Sequence, residues 1–306
     1  MPRGKTLATK VFIQRCYEIL EEIQPASIRA VAYQLFIRHL LTSMSKANTN
    51  KVSKQLVYAR EEGIVPWEWI VDEARSEERT LVWNDVEECV ENTQETYRRD
   101  YWLKQPIRLG VWSEKGTVRG TLRPVLDAYQ VPWLVTHGHN SGTETHKAAM
   151  AEQADRRRWV VLYVGDWDPS GMDMSERDLP TRLLKYGSDV EIIRLAIQER
   201  DLQTLPTFDT RDKEVEAERI YGADTKKGKD TRRPWFEANY GRTCCELDAM
   251  NPNELRARVE RAIRARIDVP AWNRMVEIER VESNSLRDIL NRWHESLSDG
   301  RPPNRN

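Results

Sequence analysis

Apolar residues recur at helical spacing through the first part of the chain. Val11, Phe12, Cys16, Ile19, Leu20 and Ile23 predict a helix over 9–23, which Pro25 stops. Ser27 is placed to cap a second helix from Ile28 to about Leu41, with Ile28, Val31, Ala32 and Leu35 on one stripe. A polar turn over 43–50 leads into a third helix ending near Gly63, and 64–71 reads as extended. Residues 72–102 are polar and helix-compatible. The period then changes. Short apolar runs at 107–113, 133–136, 159–165 and 190–195 alternate with helix-like stretches, which predicts an α/β domain with a mainly parallel sheet. The run 159–165 has the continuous apolar character of a strand buried on both faces.

The remaining signals complete the outline. The charged stretch 214–241 reads as a mobile loop, Asn251-Pro252-Asn253-Glu254 caps a helix through about Ile267, and 296–306 reads as a disordered tail. Three short helices and an extended piece at the start fit a helix-turn-helix or winged-helix module. The expected division is 1–75 (helical module), 76–104 (helical linker), 105–268 (α/β domain) and 269–306 (C-terminal helix and tail).

Composition narrows the class. With 306 residues, 39% hydrophobic and 32% charged, the chain is expected to form a globular protein of more than one domain. No apolar run approaches the ~18 residues of a membrane span, and the start has no signal-peptide core, so no membrane partner and a cytoplasmic location are expected. Cys16, Cys89, Cys244 and Cys245 show no CxxC spacing, which argues against a disulfide framework or a structural zinc. The net charge of −1 hides an uneven distribution. Between Gln24 and Arg60 lie Arg29, Arg38, Lys46, Lys51, Lys54 and Arg60 with no acid, so the remainder carries 42 basic against 49 acidic residues. A basic surface on an acidic body suits a phosphate backbone.

Candidate chemistry centres on Gly165-Asp166-Trp167-Asp168-Pro169-Ser170-Gly171, directly after the buried strand. Along an extended backbone Asp166 and Asp168 point to one side, and such a pair repels itself unless a cation neutralises it. Mg2+ takes one or two carboxylates together with phosphate oxygens. Glu114 follows the 107–113 strand in the same way and reaches the same crevice if the two strands are neighbours. An Asx turn with a helix cap is the purely structural reading of the pair.

The order strand, Glu114-Lys115-Gly116, helix, Val135-Thr136-His137-Gly138, then strand, Asp166-x-Asp168-Pro169-x-Gly171 resembles a Toprim domain. More narrowly it resembles the topoisomerase VI A subunit and the related meiotic double-strand-break transesterase, over residues 25–268. Glu246-Leu247-Asp248-Ala249 resembles a strand ending in the same family. The family pattern Thr-x-Arg-x-x-Tyr-Tyr is similar to Ser27, Arg29, Ala32 and Tyr33 here; the second tyrosine, the family nucleophile, is the one kept. The resemblance implies a winged-helix module followed by a Toprim-like α/β domain. It implies Tyr33 and Arg29 as catalytic residues, Mg2+ on Glu114, Asp166 and Asp168, and double-stranded DNA as substrate. It also implies a homodimer with composite sites and a separate ATPase subunit for strand passage, since no GxxxxGKS loop is present. The location would be nucleoid-associated in a bacterium, or host cytoplasm for a virus.

Arg29 and Tyr33, four residues apart, share a helical face turned away from the Ile28, Val31 and Leu35 stripe, although packing of Tyr33 between helices is the plain alternative. Arg38, Lys51, Lys54, Arg60, His139, Lys226, Lys227, Lys229, Arg232 and Arg233 are the candidate DNA contacts. His137, His139 and His146 suit polar or phosphate contacts better than zinc. Two other functions remain open: a Toprim nuclease using metal-activated water, and a non-catalytic DNA-binding adaptor.

Overall fold

Thr6 accepts the Thr9 N–H and starts α1 (Leu7–Ile23), and Ser27 accepts the Ala30 N–H and starts α2 (Ile28–Ile37). The computed structural model describes residues 5–71, 82–136, 142–155, 157–221 and 229–298. α2 stops four residues before Leu41 because His39 takes a positive φ of 58°, and the Leu40 N–H turns back to the Leu35 carbonyl at 2.8 Å. α3 (Lys46–Glu61) follows. Ile13, Cys16, Ile19, Leu20, Val31, Leu35, Val52 and Leu56 from the three helices close one buried core. The expected extended piece is instead a 3-10 turn at Trp67–Trp69, joined to Ala26 through a single bridge at Ile70.

α4 (Val86–Thr96) precedes the sheet. The strands β1 (Ile107–Ser113), β2 (Trp133–Val135), β3 (Arg158–Val164) and β4 (Val190–Ala196) lie within a residue or two of the apolar runs that predict them. They form a parallel sheet in the order β2-β1-β3-β4, so β1 and β3 are direct neighbours. α5 (Thr117–Ala128) and α6 (Gly142–Ala154) connect the first strands, while α7 (Pro169–Asp173) runs through a π turn into α8 (Leu179–Lys185). Trp159, Val161 and Tyr163 of β3 pack with Trp112, Ala149, Leu179 and Leu183, and the alternate residues Val160, Leu162 and Val164 are buried as well. β3 is thus covered on both faces, each aliphatic side chain contributing about 1.5–3 kcal/mol.

The stretch expected to be one loop holds real structure. After β5 (Phe208–Asp209) come α9 (Asp212–Tyr221), α10 (Arg233–Tyr240) and β6 (Thr243–Cys244), with β5 and β6 antiparallel. Pro234 opens α10 and Phe236 is fully buried, which fixes this helix despite its charged surroundings. α11 (Pro252–Arg264) begins at the Asn251 cap, and α12 (Val269–Ser298) is a single long helix.

Contacts divide the chain into two compact units, 1–74 with 108–265, and 75–107 with 266–306. In the first, Arg256 of α11 donates to the Ile23, Gln24 and Pro25 carbonyls at 2.9–3.1 Å and to the Thr121 carbonyl of α5 at 3.1 Å. That guanidinium satisfies the end of α1 and ties the helical module to the α/β layers. In the second, α4 packs on α12, and Tyr97 and Arg99 bond Glu282, so the segment expected to be a linker is paired with the C-terminal helix. Among the described residues no helix is long and apolar enough to cross a membrane.

Candidate active site

Two acidic segments leave the carboxyl ends of adjacent strands. β1 delivers Glu114 and Lys115; β3 delivers Gly165, Asp166, Trp167 and Asp168. Asp168 accepts the Gly171 N–H at 2.8 Å and caps α7, which Pro169 opens. Trp167 exchanges backbone bonds with Cys245 at 2.8 Å in both directions, and its ring is buried against Tyr240. This pairing draws 245–249 across the site. Asp166 Oδ1 then accepts the Leu247 N–H at 2.7 Å.

The backbone here is held tightly. A Cβ on Gly171 would stand 2.3 Å from the Asp166 carbonyl oxygen, so only glycine permits this approach. Arg194 of β4 donates to the carbonyls of Gly165, Asp166 and Ile197 at 3.1–3.2 Å, and to the Gly171 carbonyl at 2.6 Å. It also reaches Ser175 Oγ, and its guanidinium lies over the Tyr163 ring. One buried cation thereby fixes the turn that carries both aspartates.

Lys115 supplies a second internal cation. Its ammonium sits 2.8 Å from Asp166 Oδ1 and 3.0 Å from Asp248 Oδ2. Asp248 in turn accepts from Ser27 Oγ at 2.9 Å, and Arg29 makes a two-pronged bond to Glu246 at 2.5 Å with Asp248 at 3.9 Å. Arg29 also lies over the Tyr33 ring at 5.8 Å. A continuous run of charge therefore joins the α2 pair, Arg29 and Tyr33, to Asp166 within one chain.

The electrostatics follow. Burial, then the charges of Asp166 and Asp168, push the Glu114 carboxyl up to about 7, against Lys115 and Arg194. Burial raises Asp166 too, with Lys115 pulling it down and Asp168 adding to the rise. For Lys115 burial works downward, but Asp166, Asp248 and Glu246 carry it well above the ordinary lysine range. Tyr33 is raised by burial and by Glu246, with Arg29 opposing.

No known protein family, curated protein or solved structure matches the chain. The site is therefore read from its own chemistry. Its acid donors are all carboxylate oxygens, a set that suits a hard cation such as Mg2+, and the mutual repulsion that raises Glu114 is what such a cation relieves. The acids are coupled but spread. Among the described residues, the one trio of metal-ligating side chains with donor atoms within 4.8 Å of one another is Glu87, Glu91 and His294, in the other unit.

Several anticipated positions are differently placed. Tyr33 is only 5% exposed, because the face of α2 expected to be open is covered by the 3-10 turn Leu247–Ala249; Arg29 remains half-exposed. Arg60 is buried with its guanidinium over Trp67, which removes it from any DNA-facing surface. Arg38 pairs with Glu22, Lys51 lies over the Phe12 ring, and Lys54 is exposed. Lys229 is exposed, Arg233 is held by Glu214, and Arg232 is paired with Asp230 while reaching Ser170 Oγ at 3.1 Å, beside the aspartates. His146 packs edge-on against Tyr186. His137, His139, Lys226 and Lys227 lie outside the described residues.

Lys115, Arg194 and the clamping role of Glu246 and Asp248 were not anticipated. One signal was present: Glu246-Leu247-Asp248 repeats the acid-x-acid spacing of Asp166-Trp167-Asp168. Nothing in the sequence singles out Arg194.

Glu114 makes a pH prediction. Glutamate in the unfolded chain titrates near ~4.3, so between that value and about 7 the folded protein holds a proton that the unfolded chain has released. Stability is then fullest at the acid end of this window and falls as pH rises through it, by on the order of 2–3 kcal/mol. In urea titrations near pH ~5 and ~8, Glu114→Gln should flatten the fall. Identical falls in parent and variant would show that the Glu114 carboxyl is not raised in the folded protein.

Proposed function

We propose that this chain is a Mg2+-dependent DNA-cleaving enzyme acting by tyrosine transesterification, similar to a topoisomerase VI A subunit. The observation that carries this reading is the exit of Glu114, Asp166 and Asp168 from adjacent strand ends, close enough that the aspartate charges add to the burial that raises the Glu114 carboxyl to about 7. In this reading residues 1–75 are the winged-helix module and 105–268 the Toprim domain. Double-stranded DNA is the substrate, the working form is a homodimer in the cytoplasm, and any strand passage uses a separate ATPase subunit.

Glu114, Asp166 and Asp168 would hold Mg2+, which when bound neutralises phosphate charge. The chain's own groups do the rest. Tyr33 Oη attacks a backbone phosphorus; the new phosphotyrosine bond replaces the bond to a deoxyribose oxygen, which takes a proton from solvent as it leaves. The phenol proton passes to a carboxylate, and Glu246 and Asp248 are the acids whose charge Tyr33 feels. Arg29, only half-buried, supplies positive charge beside the ring.

A second reading, hydrolysis by metal-activated water, is favoured by the 5% exposure of Tyr33 and by the burial that raises its pKa. Incubation with supercoiled plasmid and Mg2+ separates the two. Transesterification leaves protein covalently attached to denatured product ends, hydrolysis leaves free ends, and both stop in EDTA. Retarded but uncut plasmid would leave the DNA-binding adaptor and overturn both enzymatic readings.

A further inference from the structure

The turn that covers Tyr33, Leu247–Ala249, is held differently on its two sides. Toward the sheet it is fastened through the main chain: Trp167 and Cys245 exchange both backbone bonds, and the Leu247 N–H donates to Asp166 Oδ1. The Asn251 cap of α11 fixes its far end. Toward α2 the hydrogen bonds join side chains. Glu246 accepts both prongs of the Arg29 guanidinium, and Asp248 accepts from Ser27 Oγ at 2.9 Å. The buried Leu247 and Ala249 complete the cover with a small apolar contact. The Arg29 side chain keeps 46% of its surface in water against 14% for Glu246, so a ligand reaches the guanidinium while the tyrosine beside it stays shut in.

We propose that Glu246 latches this turn over Tyr33 by occupying the place of a phosphate on Arg29, and that a backbone phosphate of duplex DNA opens the latch by taking that place. The inference rests on the transesterification reading, which needs Tyr33 Oη to reach phosphorus. A guanidinium fork accepts a carboxylate and a phosphodiester in the same two-pronged manner, so the two compete for one seat. They also exclude one another. With Asp248 already 3.9 Å from the Arg29 Nε, a diester arriving beside Glu246 would put three anions around one cation. An ion pair partly open to water is weakly held, which makes Glu246 the member that yields. Once it lets go, Asp248 is still drawn to the Lys115 ammonium at 3.0 Å, on the side of the sheet and away from the tyrosine. The nucleophile is thereby kept covered until DNA is seated.

The test is amide hydrogen exchange on the full-length protein in EDTA, with and without a DNA duplex of about 20 base pairs. The duplex is expected to speed exchange across 246–250 about fivefold while the β3 amides stay unchanged, which separates a local opening from global unfolding. The sign is decisive, because a duplex that merely lay over the turn would slow its exchange. Glu246→Gln, which keeps the size and removes the charge, should loosen the turn without DNA. Arg29→Gln should do the same and leave the duplex with no further effect. A turn whose exchange is unchanged or slowed by the duplex, a Glu246→Gln turn as slow as the parent's, or failure of the duplex to bind overturns the proposal. Exchange is read without metal or cutting, so the two failures are distinguishable. Free plasmid ends with a responsive turn remove transesterification alone; protein-linked ends with an unresponsive turn remove the latch alone.

Discussion

Tyr33→Phe is expected to eliminate every covalent protein–DNA product while leaving stability within about 0.5 kcal/mol of the parent. The two halves of this expectation have different causes. Loss of the adduct follows from removing the Oη that would become the phosphotyrosine oxygen. The small stability change follows from burial of the ring in the cleft under Leu247–Ala249, which phenylalanine fills equally well. Comparing denatured plasmid products with a urea titration on the same preparation checks both. If the variant still yields protein-linked ends, another side chain is the nucleophile; if it cuts normally but leaves free ends, as the parent does, water is the attacking group.

Arg194→Met should have the largest effect on the fold. It leaves the carbonyls of Gly165, Asp166, Gly171 and Ile197 without a shared donor, all in the turn that carries the aspartates. The Gly165 carbonyl keeps the Ile197 N–H and the Gly171 carbonyl keeps the Ser175 hydroxyl, so the carbonyls of Asp166 and Ile197 lose most. At roughly 1–3 kcal/mol for each unsatisfied buried acceptor, offset by no longer burying a charge, the loss is about 3 kcal/mol. Cleavage should fall with it, since Asp166 and Asp168 lose their fixed spacing. A chemical denaturation midpoint unchanged from the parent would show that the turn holds itself. Arg194→Lys should recover little, because an ammonium cannot reproduce the planar fork that spans four carbonyls.

Much of the sheet was legible in the residues. Apolar runs mark β1 and β3 because these central strands are largely buried, the edge strand β4 is marked by its Ile192-Ile193 pair although only part-buried, and Ser27, Asp168 and Asn251 announce helix starts through local capping chemistry. The exit of Glu114 and the two aspartates from neighbouring strand ends was also legible, resting on strand adjacency; among the described residues their donor atoms do not close into one trio. What escaped is long-range. Ser27 and Asp248 are 221 residues apart, and the cover they bring over α2 turns an outward-facing tyrosine into a buried one. Lys115 stands beside Glu114 in the chain, yet its role depends on Asp248 arriving from the far side. α10 escaped for a different reason: its charged surroundings mask a buried anchor, Phe236.

The Arg256 clamp has a bearing on modularity. One side chain from α11 completes the exposed peptide oxygens at the exit of α1 and at the same time grips α5. The opening three helices are therefore not a detachable unit that could be transplanted on their own; a graft would have to bring α11, and with it the acid-bearing layer, or leave the seam unsealed.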